Sequence, residues 1–185
     1  MIGEQTPQLL SENQQVALLE LARTSLTAFL SGPEKDHEPL KLPKQGVFVT
    51  LRRQGQLRGC IGHAIPRLDL DEAIWRLTRA AAQDQRFEPV QESEEAEISI
   101  ELSVLTPLQK VNNHIGIELG RDGLMVRQGF KTGLLLPKVA SERGWDQETF
   151  LSATCQKAGL PSNAWKEADL EIYSFQCQVF SEETP

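Results

Sequence analysis

Cysteine is scarce in this 185-residue chain, and the three that occur, Cys60, Cys155 and Cys177, are odd in number and widely scattered. They offer no disulfide framework and fit a reducing compartment, so a cytoplasmic location is expected. The three histidines, His37, His63 and His114, are as dispersed as the cysteines. No four-ligand cage forms from neighbouring pairs, so neither a tightly held structural metal nor a cofactor is expected. No apolar run approaches the length of a membrane span. Met1 to Leu10 lacks the basic stretch and apolar core of a signal peptide. Positive charge is also in deficit: 19 Lys and Arg against 26 Asp and Glu leave a formal net charge of −7. A long nucleic acid would be repelled on average and is not the expected partner. There is no Walker loop, no G-x-G-x-x-G opening a helix, no H-E-x-x-H, no G-x-S-x-G and no paired C-x-x-C. Internal repeats and low-complexity tracts are absent too.

What remains is an ordinary globular composition, 39% hydrophobic and 24% charged, of a length that suits one domain or one domain in two lobes. Ser11 with Gln14 three residues on predicts a capping box, and Val16, Leu19, Ala22, Leu26 and Phe29 predict the apolar face of the helix that follows. Ser31-Gly32-Pro33 stops it, and Pro33 to Gln45 reads as a loop. Asp69 with Glu72 predicts a second capped helix, burying Leu70, Ala73, Ile74, Leu77 and Ala81. Ile98 to Leu105 alternates as a strand with one wet face. Asp122-Gly123 predicts a hairpin between Ile117–Leu119 and Leu124–Arg127, and Gly129 and Gly133 bracket another turn. Pro137 opens a short helix that ends at Gly144. Asp146 caps the next helix, with Phe150, Leu151, Thr154, Cys155 and Ala158 inward. Leu170 to Phe180 reads as a last strand. Hairpins without repeated strand–helix–strand units predict an α+β fold with a largely antiparallel sheet and flanking helices.

One stretch carries the candidate chemistry. Val47 to Arg52 reads as a strand turning at Arg53-Gln54-Gly55-Gln56 into Leu57-Arg58-Gly59-Cys60-Ile61-Gly62. Glycine permits a positive φ and lets another backbone or a ligand come close, so two glycines around one cysteine suggest a sharply shaped turn, and Arg58 beside it favours thiolate. Cys60 is therefore the candidate nucleophile or carrying thiol, weighed against a small buried hydrophobe. A bend at Gly62 would bring His63 to it as a partner, although in a continuing strand the two point to opposite faces. Arginine is concentrated at Arg52, Arg53, Arg58, Arg67, Arg76, Arg79 and Arg86. Arg58 and Arg86 lie beside turns, and their planar forks suit a carboxylate or phosphate. Asp84 is either part of that site or the ion-pair partner of Arg86. Cys155 and Cys177 fall on apolar faces and read as core.

The hexapeptide from Leu57 to Gly62 resembles the hallmark of the AMMECR-domain family, whose prokaryotic members belong to the AmmeMemoRadiSam system. Three further blocks resemble that family in the same order. They are Asp84-x-Arg86-Phe87-x-Pro89, Leu136-Pro137-Lys138-Val139-Ala140-x-Glu142-x-Gly144-Trp145-Asp146, and Phe150-Leu151 continuing to Cys155 and Lys157-Ala158-Gly159-Leu160. Gln85 departs from the proline of many prokaryotic relatives. The resemblance implies one domain over 1–185 in two unequal lobes, 1–105 plus 165–185 and 106–164, with the motif blocks around a cleft. It further implies Memo-like, dioxygenase-related and radical-SAM partners, but names no reaction.

Two function classes follow. In the first, an enzyme or enzyme component acts on an anionic small molecule. Cys60 is reactive, Glu142 or His63 moves protons, and Arg58, Gly59, Gly62, Asp84, Arg86 and Lys138 line the substrate site. In the second, the same cleft belongs to a non-catalytic adaptor or a nucleotide- or RNA-binding module. Lys138 and Glu142, four apart on one helix, share a face and are either a surface ion pair or acid–base groups of the cleft. The oligomeric state is left open by the sequence.

Overall fold

In a computed structural model the described residues are 9–32, 37–112 and 116–183. Pro33 of the expected helix stop and His114 lie outside them. The chain divides into two compact units, Met1–Leu105 with Gln178–Pro185, and Thr106–Cys177. The fold is α+β, with four α-helices and two four-stranded sheets among the described residues.

The first unit contains α1 (Glu12–Ser31), β1 (Val47–Arg53), β2 (Gln56–His63), α2 (Leu70–Ala81), β3 (Ile98–Leu105) and β8 (Cys177–Ser181), in sheet order β2-β1-β3-β8. Ser11 caps α1 through the expected box with Gln14, and Gly32 ends it. Its buried stripe runs through Leu18, Ala22, Ser25 and Leu26, leaving Val16 exposed, so the expected face is rotated. In α2 the expected inward residues are all buried, but the side chain of Asp69 makes no cap bond. Val47, Val49 and Leu51 of β1 and Ile98, Ile100, Leu102 and Val104 of β3 share the sheet face that packs into the helical core. Each fully buried aliphatic side chain there contributes about 1.5–3 kcal/mol. The other face of β3 is not wet: Ser99 and Ser103 are buried, so alternation distinguished polar from apolar but not inside from outside.

The second unit has sheet order β4-β7-β5-β6, from β4 (Gln109–Lys110), β7 (Glu171–Phe175), β5 (Gly123–Gln128) and β6 (Lys131–Leu135). Helices α3 (Pro137–Arg143) and α4 (Gln147–Lys157) begin at Pro137 and at the Asp146 cap, as expected. Phe150, Leu151 and Cys155 pack with Leu124, Val126 and Ile172. The expected hairpin at Asp122-Gly123 does not form. Asp122 instead closes a turn by accepting from the N–H of Glu118 at 2.9 Å, and the hairpin is β5–β6. Nor is Leu170 to Phe180 one strand: it breaks at Gln176, with β7 in the second sheet and β8 in the first. The boundary expected at residue 165 therefore falls between Cys177 and Gln178.

Candidate functional site

The sequence hallmark lies in β2, an edge strand of the first sheet. The expected turn at Cys60 is absent. Neither Gly59 nor Gly62 has positive φ, and β2 runs through both. The glycines answer a different demand, close approach. A Cβ on Gly59 would stand 2.1 Å from the Ala81 carbonyl oxygen at the end of α2. One on Gly62 would meet Phe48 Cδ1 and the Val47 carbonyl oxygen at 2.4 Å. Cys60, between them, points to the face away from α2. Its strand partner Thr50 lies directly across, and the Thr50 hydroxyl donates to Sγ at 3.3 Å. Cys60 is half-buried.

As an edge residue, Cys60 turns its backbone N–H and C=O away from β1, where they need partners. Asp84 and Arg86 provide both. Asp84 Oδ2 accepts from the Cys60 N–H at 2.9 Å, and Arg86 Nη2 donates to the Cys60 carbonyl at 3.1 Å. The two side chains are joined by Nε to Oδ1 at 3.0 Å and Nη2 to Oδ2 at 2.6 Å. The Arg86 guanidinium, more than the Cys60 N–H, holds the Asp84 carboxyl well below the usual carboxylate range against the opposing effect of burial. Arg86 remains 59% exposed, so its Nη1 corner faces solvent beside Cys60.

Arg58 has another use. The register of β1 and β2 shifts between Leu51 and Arg52, which makes Arg58 the extra residue of a β-bulge. Its fork grips Glu94 through Nε and Nη2, both at 2.9 Å, while Nη1 donates to the Glu88 carbonyl at 2.7 Å. Arg58 lowers the Glu94 carboxyl to about 2, with Arg53 adding to the effect. With its donors committed, Arg58 is a clip between β2 and the Glu92–Glu97 3₁₀ turn. It does not offer a fork to an anion.

His63 ends β2 opposite Val47, three residues past Cys60 in an unbroken strand, so it stands on the other face. The bend at Gly62 that would bring the two together does not occur, because the antiparallel pairing continues through it. Burial, helped by Arg67, lowers the His63 pKa, and its Nε2 is buried without a partner. Lys138 and Glu142 lie on α3 of the second unit, with Glu142 exposed. Trp145 packs against that unit's core with Arg143 over its ring at 5.1 Å. Cys155 is buried, whereas Cys177, expected in the core, is half-buried. Among the described residues no group of three His, Cys, Asp or Glu side chains is placed to hold a metal ion. None of the helices is long and apolar enough to cross a membrane among those residues.

Sequence reasoning missed Thr50, Glu101 and Glu94. The register Cys60–Thr50–Glu101 across β2, β1 and β3 puts Thr50 beside the sulfur and Glu101 one strand further along the same row. Their signal was present only as polar positions in alternating strands, legible once pairing was known.

Comparison with known proteins shows what the chain as a whole is similar to. The family model AMMECR1 matches residues 19–180. Protein PF1979 of Pyrococcus furiosus is 44% identical over 184 residues, covering 91% of this chain and 88% of that protein. A protein of Methanothermobacter thermautotrophicus is 41% identical over 186 residues, covering 94% and 97% of the two chains. The crystal structure of the uncharacterized protein PH0010 from Pyrococcus horikoshii superposes with a TM-score of 0.80 at 41% identity, covering 91% of each chain.

Proposed function

The chain belongs to the AMMECR1 family, and from that membership and the geometry of β2 we propose that it is a thiol-centred enzyme or enzyme component acting on an anionic small molecule. Cys60 is the reacting or carrying group, and Arg86 receives the negative charge of the molecule. The observation that carries this reading is the double clamp on the Cys60 backbone. The clamp satisfies an edge-strand backbone and at the same time holds fixed the residue that carries the half-buried sulfur. The Cys60 N–H and C=O are both taken by an ion pair whose arginine keeps an exposed corner. Pre-organised backbone and a half-buried sulfur support a site at which a thiol meets a ligand held by a fork. Cytoplasmic location belongs with this reading, since three free thiols suit a reducing compartment. Memo-like and radical-SAM partners are proposed on the family resemblance.

Two alkylating reagents of equal size and different charge test it. Iodoacetate and iodoacetamide each form an S–C bond and expel iodide, so their rate ratio reports local charge. We expect Cys60 to be labelled before Cys155 and Cys177, with an iodoacetate-to-iodoacetamide ratio roughly tenfold above that of the unfolded chain. Inorganic phosphate should slow iodoacetate selectively, and Arg86→Gln should abolish the excess. Equal ratios in the folded and unfolded chains would refute anion binding at Arg86. A Cys60 unreactive to both reagents would refute the thiol reading and leave the adaptor.

A further inference from the structure

Thr50 lies directly opposite Cys60, on the face of the first sheet away from α2. It is 7% exposed, and its strand β1 is flanked by β2 and β3. A hydroxyl buried there needs a partner. That partner is Cys60 Sγ, to which it donates at 3.3 Å. Among the described residues Sγ has no other hydrogen bond. Threonine is stiff about χ1, which keeps its oxygen in place on the pleated surface. The charges around the two residues are already paired with one another. Arg86 is within Coulombic reach of Cys60 but is bound to Asp84 at 2.6 Å. Arg52 Nε stands 3.7 Å from Oε2 of Glu101, which lies opposite Thr50 on β3. The hydroxyl is the directed contact on the sulfur.

We propose that Thr50 readies Cys60 for reaction, its hydroxyl holding the sulfur as a thiolate and fixing where that thiolate points. This rests on the thiol reading above and supplies the activating group that the reading lacks. A donor favours the charged form of sulfur, because a thiolate is a much stronger acceptor than a thiol. The groups that the sequence suggested for the proton stand elsewhere, His63 on the opposite face and Glu142 on α3 of the second unit. Neither is required. The S–H proton leaves to solvent before attack, and the hydroxyl keeps its own proton throughout. The thiolate then gives an electron pair to the new bond, and the leaving group departs with the pair of the bond that breaks. No oxidant or reductant enters the balance.

The test is the rate of Cys60 alkylation by iodoacetamide across pH on the intact chain, with mass spectrometry locating the label. Thr50→Val removes the donor and keeps the shape. Its rate profile should have a half-point about one pH unit higher than that of the natural chain. A thiolate without its donor is also the better nucleophile, since reactivity rises with basicity at a slope of about 0.4–0.5. The alkaline plateau of the variant should therefore be about threefold higher, and its rate near neutral pH about three- to fourfold lower. The two profiles should cross, and Thr50→Ser should restore the natural one. Profiles that superimpose overturn the proposal. So does a variant slower by one factor at every pH, which is what a loosened strand would give. If Thr50→Val does not fold, infrared spectra of the natural chain decide. The S–H band lost on labelling Cys60 should be that of a thiol that donates to nothing. A band shifted down by donation from S–H to Thr50 overturns the proposal. A Cys60 that labels at no pH ends the thiol reading, whereas labelling with superimposed profiles ends only the role of Thr50.

Discussion

Arg58 and Arg86 look alike in the sequence, each beside a turn and each in a block around Cys60, yet they end in different work. Arg58 enters a bulge that carries its guanidinium to Glu94 and two carbonyls, a destination fixed by strand register and invisible before pairing is known. Arg86 is two residues from its partner Asp84, so its ion pair was legible from spacing alone. Glu94 gives the residue-scale prediction. It titrates at about 2 in the folded chain, against roughly 4.3 in an unfolded one. Between those values the unfolded chain binds more protons, so stability falls as pH falls. The contribution is fully present above about pH 4.5 and is lost on the way to pH 2. Asp84, held lower still, extends the loss further into acid. Glu94→Gln should cost about 2–3 kcal/mol at neutral pH, by leaving Arg58 without its counterion, whereas Arg53 keeps Glu97. It should also flatten the acid limb of stability measured by denaturant melts from about pH 5 to 2.

At the scale of elements, what the sequence disclosed depended on whether a signal was local. The capped start of α1, Pro137 at the head of α3 and Asp146 at the head of α4 are decided within four residues, and all three occur where expected. The run from Leu170 to Phe180 alternates throughout, but period-two patterning cannot tell which sheet a strand joins. The break at Gln176 is set by Thr106, whose hydroxyl accepts the Gln176 N–H at 2.8 Å and whose own N–H donates to the Gln176 carbonyl at 2.9 Å. The glycines of the hallmark were likewise noticed but misassigned, because a glycine needed for φ and one needed for contact look identical in sequence. Gly59→Ala discriminates between them. A methyl 2.1 Å from the Ala81 carbonyl oxygen cannot be relieved by a rotamer, so α2 must move off β2. The expected cost is about 3 kcal/mol in the thermal or denaturant midpoint, together with loosening of the Asp84 clamp that follows α2. An unchanged midpoint would mean that α2 does not press on β2 as described.

For the molecule as a whole, the first unit is not a continuous piece of chain. It ends at Leu105, the chain builds the second unit from Thr106 to Cys177, and only then do Gln178–Pro185 return to complete the first. That returning segment does more than its length suggests. As part of β8 it covers the outer edge of β3. Gln178 exchanges two hydrogen bonds with the backbone of Leu10, through Oε1 at 2.7 Å and Nε2 at 3.1 Å. Glu182 accepts Arg23 Nε at 2.9 Å and the Ile100 N–H at 2.9 Å, joining α1 to β3. Phe180 packs against the core. Ending the chain after Cys177 leaves every motif block and every fully buried core side chain intact, yet should destabilise the first unit by about 3–5 kcal/mol. The bare edge of β3 should also pair between molecules, so scattering should rise with protein concentration at temperatures where the full chain is clear. Glu182→Gln separates the two effects, because it weakens the Arg23 tie while leaving the edge covered. It should lower the midpoint by a fraction of the truncation's loss and leave scattering unchanged. If the truncated chain melts and scatters like the full one, the C-terminal segment is not part of the first unit's cooperative structure.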